Sequence, residues 1–251
     1  MPPSNQSLKS SASTKGAVPV LFDVVGTETL PESIARRIRE AILAGKLPPG
    51  SRIREITVSE QMGVSRGPVR EAFRMLEEQG LITSSRYRGS RVATLSATEA
   101  EEIYTLRAQL EAYALELAAR RLTDAHVAGM QAAVDGMRTG AARQDYLVAS
   151  KSDLKFHSVI WEASGHGLLR SILHNLRTKI ELLLAYDHRL VENRAQVLQD
   201  HQIIIDQLGA GNVTQAVELL RGNILKAGTL IVARLRGTEV VSESPSQPSA
   251  R

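Results

Sequence analysis

The chain has 251 residues, a formal net charge of +4 and no cysteine. The lack of cysteine excludes a disulfide framework, a thiolate metal site and a cysteine nucleophile, and it fits a reducing cytoplasm. No apolar run approaches the roughly 18 residues of a membrane span, and the polar N-terminus lacks the apolar core of a secretory signal. We therefore expect a cytoplasmic protein with no membrane partner and with one large or two modest domains.

The positive charge is concentrated in one part of the chain. Residues 31–95 contain twelve Lys and Arg against seven Asp and Glu, which leaves the remainder of the chain at −1. A basic module beside a nearly neutral one indicates a polyanion as the partner of the first module. Many soluble domains also carry a few excess positive charges, so the charge alone leaves both interpretations open.

The first predicted element is a helix that opens with Pro31 in its first turn and ends at Pro48-Pro49-Gly50. Its apolar residues recur on one face. Residues 1–25 show no sustained periodicity and are predicted to be a flexible arm.

Residues 58–81 predict two short helices joined by a tight turn at 63–65. In the second helix, apolar residues recur at helical spacing, with Ser65 as the expected N-cap and Gly80 as the expected C-cap glycine. Arg66 and Arg70 are four residues apart, so they share its solvent side. A helix of this kind, supported by a preceding helix, is suited to reading a DNA major groove.

A β-hairpin is predicted next. The runs 81–84 and 91–94 are β-prone, and the basic segment 86–90 lies between them as the tip of a wing. Residues 26–95 are therefore predicted to form a winged helix-turn-helix domain.

From residue 96 onward the sequence predicts only helices. The first begins at a capping box, formed by Ser96 with Glu99 or by Thr98 with Glu101. The predicted spans are 97–120, 124–138, 143–164, 167–187, 190–209 and 213–235. Six helices in this length imply a bundle over residues 96–236, followed by a flexible tail at 237–251. The expected fold class is mainly α, with a winged helix-turn-helix followed by an all-α bundle.

These segments resemble the GntR family of bacterial transcription regulators. Residues 34–53 resemble the family's opening helix and its G-x-L-x-P-G loop, and residues 58–81 resemble its helix-turn-helix. Residues 97–236 resemble the FCD effector domain of the FadR subfamily. The resemblance implies a homodimeric, ligand-responsive regulator, more often a repressor than an activator, that binds a short pseudo-palindromic operator in double-stranded DNA.

The candidate DNA contacts follow from the recognition helix and the wing. Arg66 and Arg70 are placed to reach guanine O6 and N7 or to clamp phosphates. Ser65 is expected to bind a phosphate and cap the helix, and Gly67 to leave room for the groove. The wing residues Arg88, Gly89 and Arg91 are expected at the minor groove or at flanking phosphates.

Two features weigh against a simple transfer of these contacts. The arginines of a basic helix also form surface ion pairs, here with Glu71, Glu77 or Glu78. In the fatty-acid-responsive branch of the family, an additional arginine lies early in the helix before the turn, and the matching position here is Ile56.

A metal site is the second candidate. Asp153 and His157 are four residues apart on one helix face, and His201 lies in a later helix. Such a pair is also common among polar groups that satisfy each other inside a bundle. Many FCD domains carry an Asp-x-x-x-His pair and two later His ligands, and the resemblance carries these to Asp153, His157, His201 and Asn223. An amide oxygen is a weaker ligand than imidazole for zinc or nickel. The implied cofactor is a divalent metal (zinc, nickel or manganese).

The effector implied by the resemblance is a small organic acid, whose carboxylate completes an open coordination site. Arg107 and Glu111 match the family's Arg-x-x-Leu-Glu signature. Arg107 either binds the effector carboxylate from the cavity wall or pairs with a neighbouring acid and locks the helices.

Two other function classes compete with a regulator. One is a metal-dependent hydrolase or lyase built on the bundle, but no Glu stands at the spacing of a catalytic base and no Ser-His-Asp order is apparent. The other is a nucleoid-type DNA binder without an effector, which the three matched site residues disfavour. We therefore expect a regulator rather than an enzyme.

Overall fold

The computed structural model describes residues 28–85, 89–187 and 194–243. The N-terminal domain contains α1 (Leu30–Leu43), β1 (Arg52–Ile53), α2 (Glu55–Met62), α3 (Arg66–Glu78), β2 (Ile82–Ser85) and β3 (Gly89–Val92). The bundle contains α4 (Ala97–Ala118), α5 (Asp124–Ala142), α6 (Tyr146–Ala163), α7 (Gly167–Asp187), α8 (Arg194–Gly209) and α9 (Val213–Glu243). The predicted fold class is confirmed. The predicted arm and the wing-tip residue Arg88 lie outside the described residues.

Helix α3 is the predicted recognition helix of the N-terminal domain. Its predicted apolar face is buried against α1 and the sheet, through Val69, Ala72, Phe73 and Leu76. The side chain of Glu77 accepts a hydrogen bond of 3.0 Å from the amide of Ser84. The wing is therefore tied directly to α3.

A glycine, and not the proline pair, ends α1. Gly45 has a φ of 68° and follows the last helical turn, and its amide and the next one donate to carbonyls of that turn. The expected stop at Pro48 is therefore wrong by several residues. Gly80 has a φ of 73° and ends α3 in the same way, as the sequence predicts.

The sheet has three antiparallel strands in the order β1-β3-β2. The predicted hairpin is present, although β3 begins at Gly89, two residues earlier than predicted. Strand β1 is a two-residue strand that pairs with β3, and it is absent from the elements predicted above.

Helix α4 begins at the capping box formed by Ser96 and Glu99, the first of the two predicted pairings. It packs along α9, while α5 packs along α6. Helix α9 continues to Glu243, so the first seven residues of the predicted tail are helical. Gly237 does not end the helix, because one interior glycine costs only about 1 kcal/mol relative to alanine.

The break predicted at Thr139-Gly140 is wrong. Helix α5 runs through both residues to Ala142, and the turn follows at residues 143–145, where Gln144 has a φ of 56°. A Cβ atom on Gly140 would lie 2.6 Å from the amide nitrogen of Ala149 in α6. The glycine therefore allows two helix backbones to approach closely. Within the described residues, no helix is both long and apolar enough to cross a bilayer.

Two glycines of α9 provide a matched test of this packing. A Cβ atom at Gly228 would lie 2.6 Å from Cβ of Tyr104, whereas a Cβ at Gly222 meets nothing within 4 Å. We expect Gly228→Ala to lower the free energy of unfolding by about 1–3 kcal/mol through overpacking. Gly222→Ala should raise it by about 0.5–1 kcal/mol through a smaller loss of chain entropy. Urea unfolding measures both, and equal effects would contradict the proposed α4–α9 contact.

Candidate DNA-binding surface and candidate metal and effector site

Helix α3 presents its two predicted arginines to solvent. Arg66 is exposed and has no ion-pair partner among the described residues. The Nε atom of Arg70 lies 3.5 Å from Oε2 of Glu55 in α2, so its partner is none of the predicted acids. Ion pairs this exposed contribute about 0–1 kcal/mol. The pair therefore leaves Arg70 able to turn toward DNA.

The turn before α3 differs from expectation in one respect. Ser65 is the N-cap residue, but its side chain makes no capping hydrogen bond. Its hydroxyl is therefore available to another acceptor or donor. A Cβ atom at Gly67 would meet nothing within 4 Å, so the surface there is open. Its approach to a DNA groove stays a prediction.

The wing exposes arginines on the solvent face of the sheet. Arg91 donates a hydrogen bond of 2.9 Å to the carbonyl of Gly50, and it stands directly opposite Arg52 across β1 and β3. Like charges in such a pair are unfavourable, and a phosphate would relieve the repulsion. Sequence reasoning missed Arg52 because nothing predicted β1. Gly89 opens β3 with a φ of 69°.

The fold brings together three of the four predicted metal ligands. Asp153 and His157 lie on α6 and His201 lies on α8, and one candidate ligand atom from each falls within 4.8 Å of the others. Asp153 Oδ1 is 3.3 Å from His201 Nε2, and Asp153 Oδ2 is 3.9 Å from His157 Nε2. Both imidazoles are buried. We call these three residues the triad.

Hydrogen bonds behind the triad orient both imidazole rings. His157 Nδ1 lies 2.6 Å from Oε2 of Glu111, which is completely buried. His201 Nδ1 lies 2.8 Å from the carbonyl oxygen of Val197. Donation from each Nδ1 leaves Nε2 with a free lone pair on the side of Asp153, as metal-ligating histidines require.

Glu111 also binds Arg107, which joins the two predicted sites. Arg107 Nε donates to Glu111 Oε1 over 2.5 Å, and both side chains are almost fully buried. We call the series Arg107, Glu111 and His157 the polar chain. Sequence reasoning named Glu111 only as part of a signature and missed its contact with His157. The i, i+4 spacing of Arg107 and Glu111 was the signal in the sequence for the ion pair between these two residues.

The charges of these groups stabilise one another. Burial opposes ionisation of Glu111, but the charge of Arg107 and the contact with His157 lower its pKa to about 2. Burial also opposes ionisation of Asp153, but His201 and His157 hold its pKa well below the usual range. Burial alone would lower the pKa of His201, and the contact with Asp153 outweighs it and raises that pKa.

Two buried polar atoms of these groups are left without hydrogen bonds. Nη2 of Arg107 has no partner, and neither has Nε2 of His201, whose approach to Asp153 lacks the direction of a hydrogen bond. Such an atom costs about 1–3 kcal/mol, so a bound ion or ligand would be favoured. Nδ2 of Asn223 on α9 is also buried and unpaired. The role of Asn223 as a fourth ligand stays a prediction.

Comparison with known proteins identifies the family. A sequence model of the bacterial regulatory proteins of the gntR family matches residues 30–92, and a model of the FCD domain matches residues 102–225. The chain is 30% identical over 197 residues to the probable D-xylose utilization operon transcriptional repressor of Paenarthrobacter nicotinovorans. The aligned region covers 76% of this chain and 86% of that protein. The chain belongs to the GntR family.

Further comparisons agree with this membership. The gluconate operon transcriptional repressor of Bacillus subtilis is 27% identical over 76% of this chain and 80% of its own length. The crystal structure of a GntR transcriptional regulator from Rhodococcus sp. RHA1 has a TM-score of 0.69 and 25% identity, over 81% of this chain and 97% of that one. The fold is also that of E. coli McbR/YncC, with a TM-score of 0.66 and 21% identity over 85% and 100% of the two chains.

This GntR protein is a ligand-responsive, DNA-binding transcription regulator and not an enzyme. The alternative of a metal-dependent enzyme on the bundle is thereby set aside. The N-terminal domain supplies the DNA-binding module and the FCD bundle supplies the candidate ligand site.

The pKa of Glu111 leads to a pH prediction. Its folded value of about 2 lies below the usual 4.5, so its stabilising effect is complete above pH 4.5 and is lost as the pH falls toward 2. We expect Glu111→Gln to lower the free energy of unfolding by about 3 kcal/mol near pH 7, with the deficit shrinking toward pH 3. Urea unfolding between pH 7 and pH 3 measures this. Glu116→Gln, an exposed change on the same helix, is the control for loss of a charge. A deficit independent of pH would show that the Glu111 carboxylate is not the stabilising species.

Proposed function

We propose that this protein is a homodimeric, cytoplasmic repressor that binds a pseudo-palindromic DNA operator and responds to a small organic acid held in the bundle with a divalent metal. The observation that carries the proposal is the polar chain, which leads from an unpaired guanidinium nitrogen through one buried carboxylate to a triad of metal-ligating type.

The DNA contacts rest on the exposed N-terminal turn of α3. Arg66 and Arg70 offer guanidinium forks that match guanine O6 and N7 or a phosphate. Ser65 is free to bind a phosphate, and Arg91 with Gly89 brings the wing to the duplex. Arg88, which lies outside the described residues, is proposed as a further DNA contact. One recognition helix reads too few base pairs for a specific site, so two-fold pairing of subunits is required.

The metal site rests on the chemistry of the triad. Two imidazole nitrogens and a carboxylate oxygen suit zinc, nickel or manganese, and Asn223 is proposed as a weak fourth ligand. When bound, the ion would supply a Lewis-acid position for an anionic ligand. The three side chains come from α6 and α8, so they would join these helices around the ion.

The effector site rests on Arg107. Its Nε is used by Glu111, while its buried Nη2 has no partner. A carboxylate is the natural acceptor for that group. Both roles considered for Arg107 therefore apply together, since it pairs with an acid and still presents a donor. Glu111 contacts both Arg107 and His157, so binding of the acid and binding of the metal should support each other.

An exposed apolar patch supports the homodimer. Four apolar residues follow one side of α4 at spacings of four, three and four residues, which is the spacing of a helix-pairing seam. They are Leu106, Leu110, Tyr113 and Leu117. Leu106 and Tyr113 are 48% and 46% exposed, and Leu168 of the adjacent α7 is 69% exposed. The ring of Tyr113 contacts that of His166, which precedes α7. The patch therefore spans both helices, and an isologous contact would cover it.

The first test concerns DNA specificity. Arg70→Ala should weaken binding to an operator selected by the wild-type protein from random duplexes by about 1–3 kcal/mol, because a bidentate base contact is lost. Arg138→Ala removes the same charge from the bundle surface, where Arg138 pairs with Asp135, and should leave the affinity nearly unchanged. Fluorescence anisotropy measures both. Wild-type affinity in a folded Arg70→Ala protein would rule out this contact.

The second test concerns the metal and the acid. Elemental analysis of protein purified without chelator should find one divalent ion per chain, or zinc, nickel or manganese should raise the melting temperature. His201→Ala should abolish both effects because it removes a ligand. His174→Ala is the control, because it removes a surface pair with Glu162 and a ring contact with Trp161 but no residue of the triad. A panel of organic acids should give a further increase that requires both the metal and Arg107. The panel includes gluconate because a relative is named for the gluconate operon. If the protein neither retains a divalent ion nor gains thermal stability from one, the triad is only a polar pocket and the proposed metal site is wrong.

The third test concerns the dimer. Tyr113→Asp places a charge in the centre of the patch and should convert the protein to a monomer in sedimentation velocity. Val127→Asp makes the same kind of change at an exposed residue of α5 and should not. Dimers that persist in a Tyr113→Asp, Leu106→Asp double variant would place the interface elsewhere.

A further inference from the structure

The N-terminal domain and the bundle touch through a polar junction, defined as Arg39 and Glu40 of α1, Lys151 of α6, and Thr178 and Glu181 of α7. Arg39 Nη2 lies 3.1 Å from Glu181 Oε2 and donates to Thr178 Oγ1 over 3.2 Å. Lys151 Nζ donates to Glu40 Oε1 over 3.3 Å. Two helices of the bundle thus hold one helix of the N-terminal domain through charged groups.

The junction is only partly satisfied. Nε of Arg39 is buried without a hydrogen-bond partner, and Oε2 of Glu181 faces Arg39 without the direction of a hydrogen bond. The side chain of Glu181 is 13% exposed and is shared with Arg177. Water can solvate all these groups once they separate, so the junction opens more easily than an apolar interface of the same size. An interface that opens easily is suited to switching between two arrangements of the N-terminal domain and the bundle.

A small recess, partly open to solvent, lies within the junction. Leu43 of α1 lines it together with Leu147, Ser150 and Lys151 of α6 and Glu181 of α7. Atoms that border a gap lose packing contacts on that side. A small shift of α6 relative to α1 can therefore be accommodated without a clash.

Helix α6 carries both the junction and the candidate metal site. Leu147 and Lys151, four residues apart, face α1, whereas Asp153 and His157, also four residues apart, face His201. A helix moves as a unit because its backbone hydrogen bonds resist local deformation. An ion that draws the two α6 ligands toward α8 must therefore move the residues that contact α1.

Helix α1 connects the junction to the DNA-binding surface. Its buried face packs against α3 within the core of the N-terminal domain. Displacement of α1 therefore changes the position of the recognition helix. The path from the triad to α3 consists of two packed helices and one polar junction.

We propose that the polar junction is the element through which occupancy of the triad controls the placement of α3. This inference rests on the proposed function, because it requires the triad to bind a divalent ion. The ion shifts the junction by binding one arrangement more tightly than the other. Glu181 is the central residue, because it forms ion pairs with both Arg39 and the neighbouring Arg177.

The experiment measures amide hydrogen exchange of the full-length protein with and without ZnCl₂ or MnCl₂, together with metal affinity by calorimetry. In the wild type, the metal should change exchange in α1 as well as in α6 and α8. Glu181→Gln and Lys151→Gln should retain the metal affinity within about twofold and lose the change in α1. Arg170→Gln is the control, because it breaks an exposed pair between Arg170 of α7 and Glu162 of α6 that does not reach α1.

Each result of this experiment either supports or overturns the proposed role of the polar junction. The proposal is supported if the junction variants lose the α1 response and the Arg170→Gln control keeps it. If Glu181→Gln does not fold, Lys151→Gln, at a half-exposed position, decides the question. Metal binding with no change in α1 of the wild type, or an undiminished change in both variants, overturns it while leaving the metal site intact. Absence of metal binding in calorimetry removes the proposed metal site, and this inference with it.

Discussion

A single buried carboxylate organises the interior of the bundle. Glu111 lies between a guanidinium and an imidazole and contacts each at hydrogen-bonding distance. A buried carboxylate without such partners would lose several kcal/mol of hydration that nothing replaced. Arg107 and His157 are therefore required for Glu111 to remain ionised, and Glu111 in turn fixes the direction in which each of them points.

The close packing of helices around this group depends on small residues. Gly140 allows α5 to approach α6, and Gly228 allows α9 to approach α4 beside Tyr104. These contacts help to position α4 and α6, whose site residues are far apart in sequence. Local sequence thus determines the helices, and glycine-mediated contacts determine how they meet.

Much of this arrangement could be predicted from the sequence because its signals are local. The apolar spacing of α3, the capping box at Ser96 and the i, i+4 pair on α6 each require only a few neighbouring residues. The errors came from features that depend on distant partners. Gly140 indicated a break because its packing against Ala149 is a tertiary contact. Strand β1 exists only through its pairing with β3, and the contact between Glu111 and His157 joins residues 46 positions apart.

The dual contact of Glu111 has a consequence for the design of biosensors from this scaffold. A designer who replaces Arg107 to change the recognised ligand also removes the counter-ion of Glu111 and disturbs His157. At that position, a change aimed at the proposed effector therefore also disturbs a ligand of the proposed metal site. Libraries that keep the polar chain constant and vary the surrounding apolar side chains should yield altered selectivity with fewer inactive members.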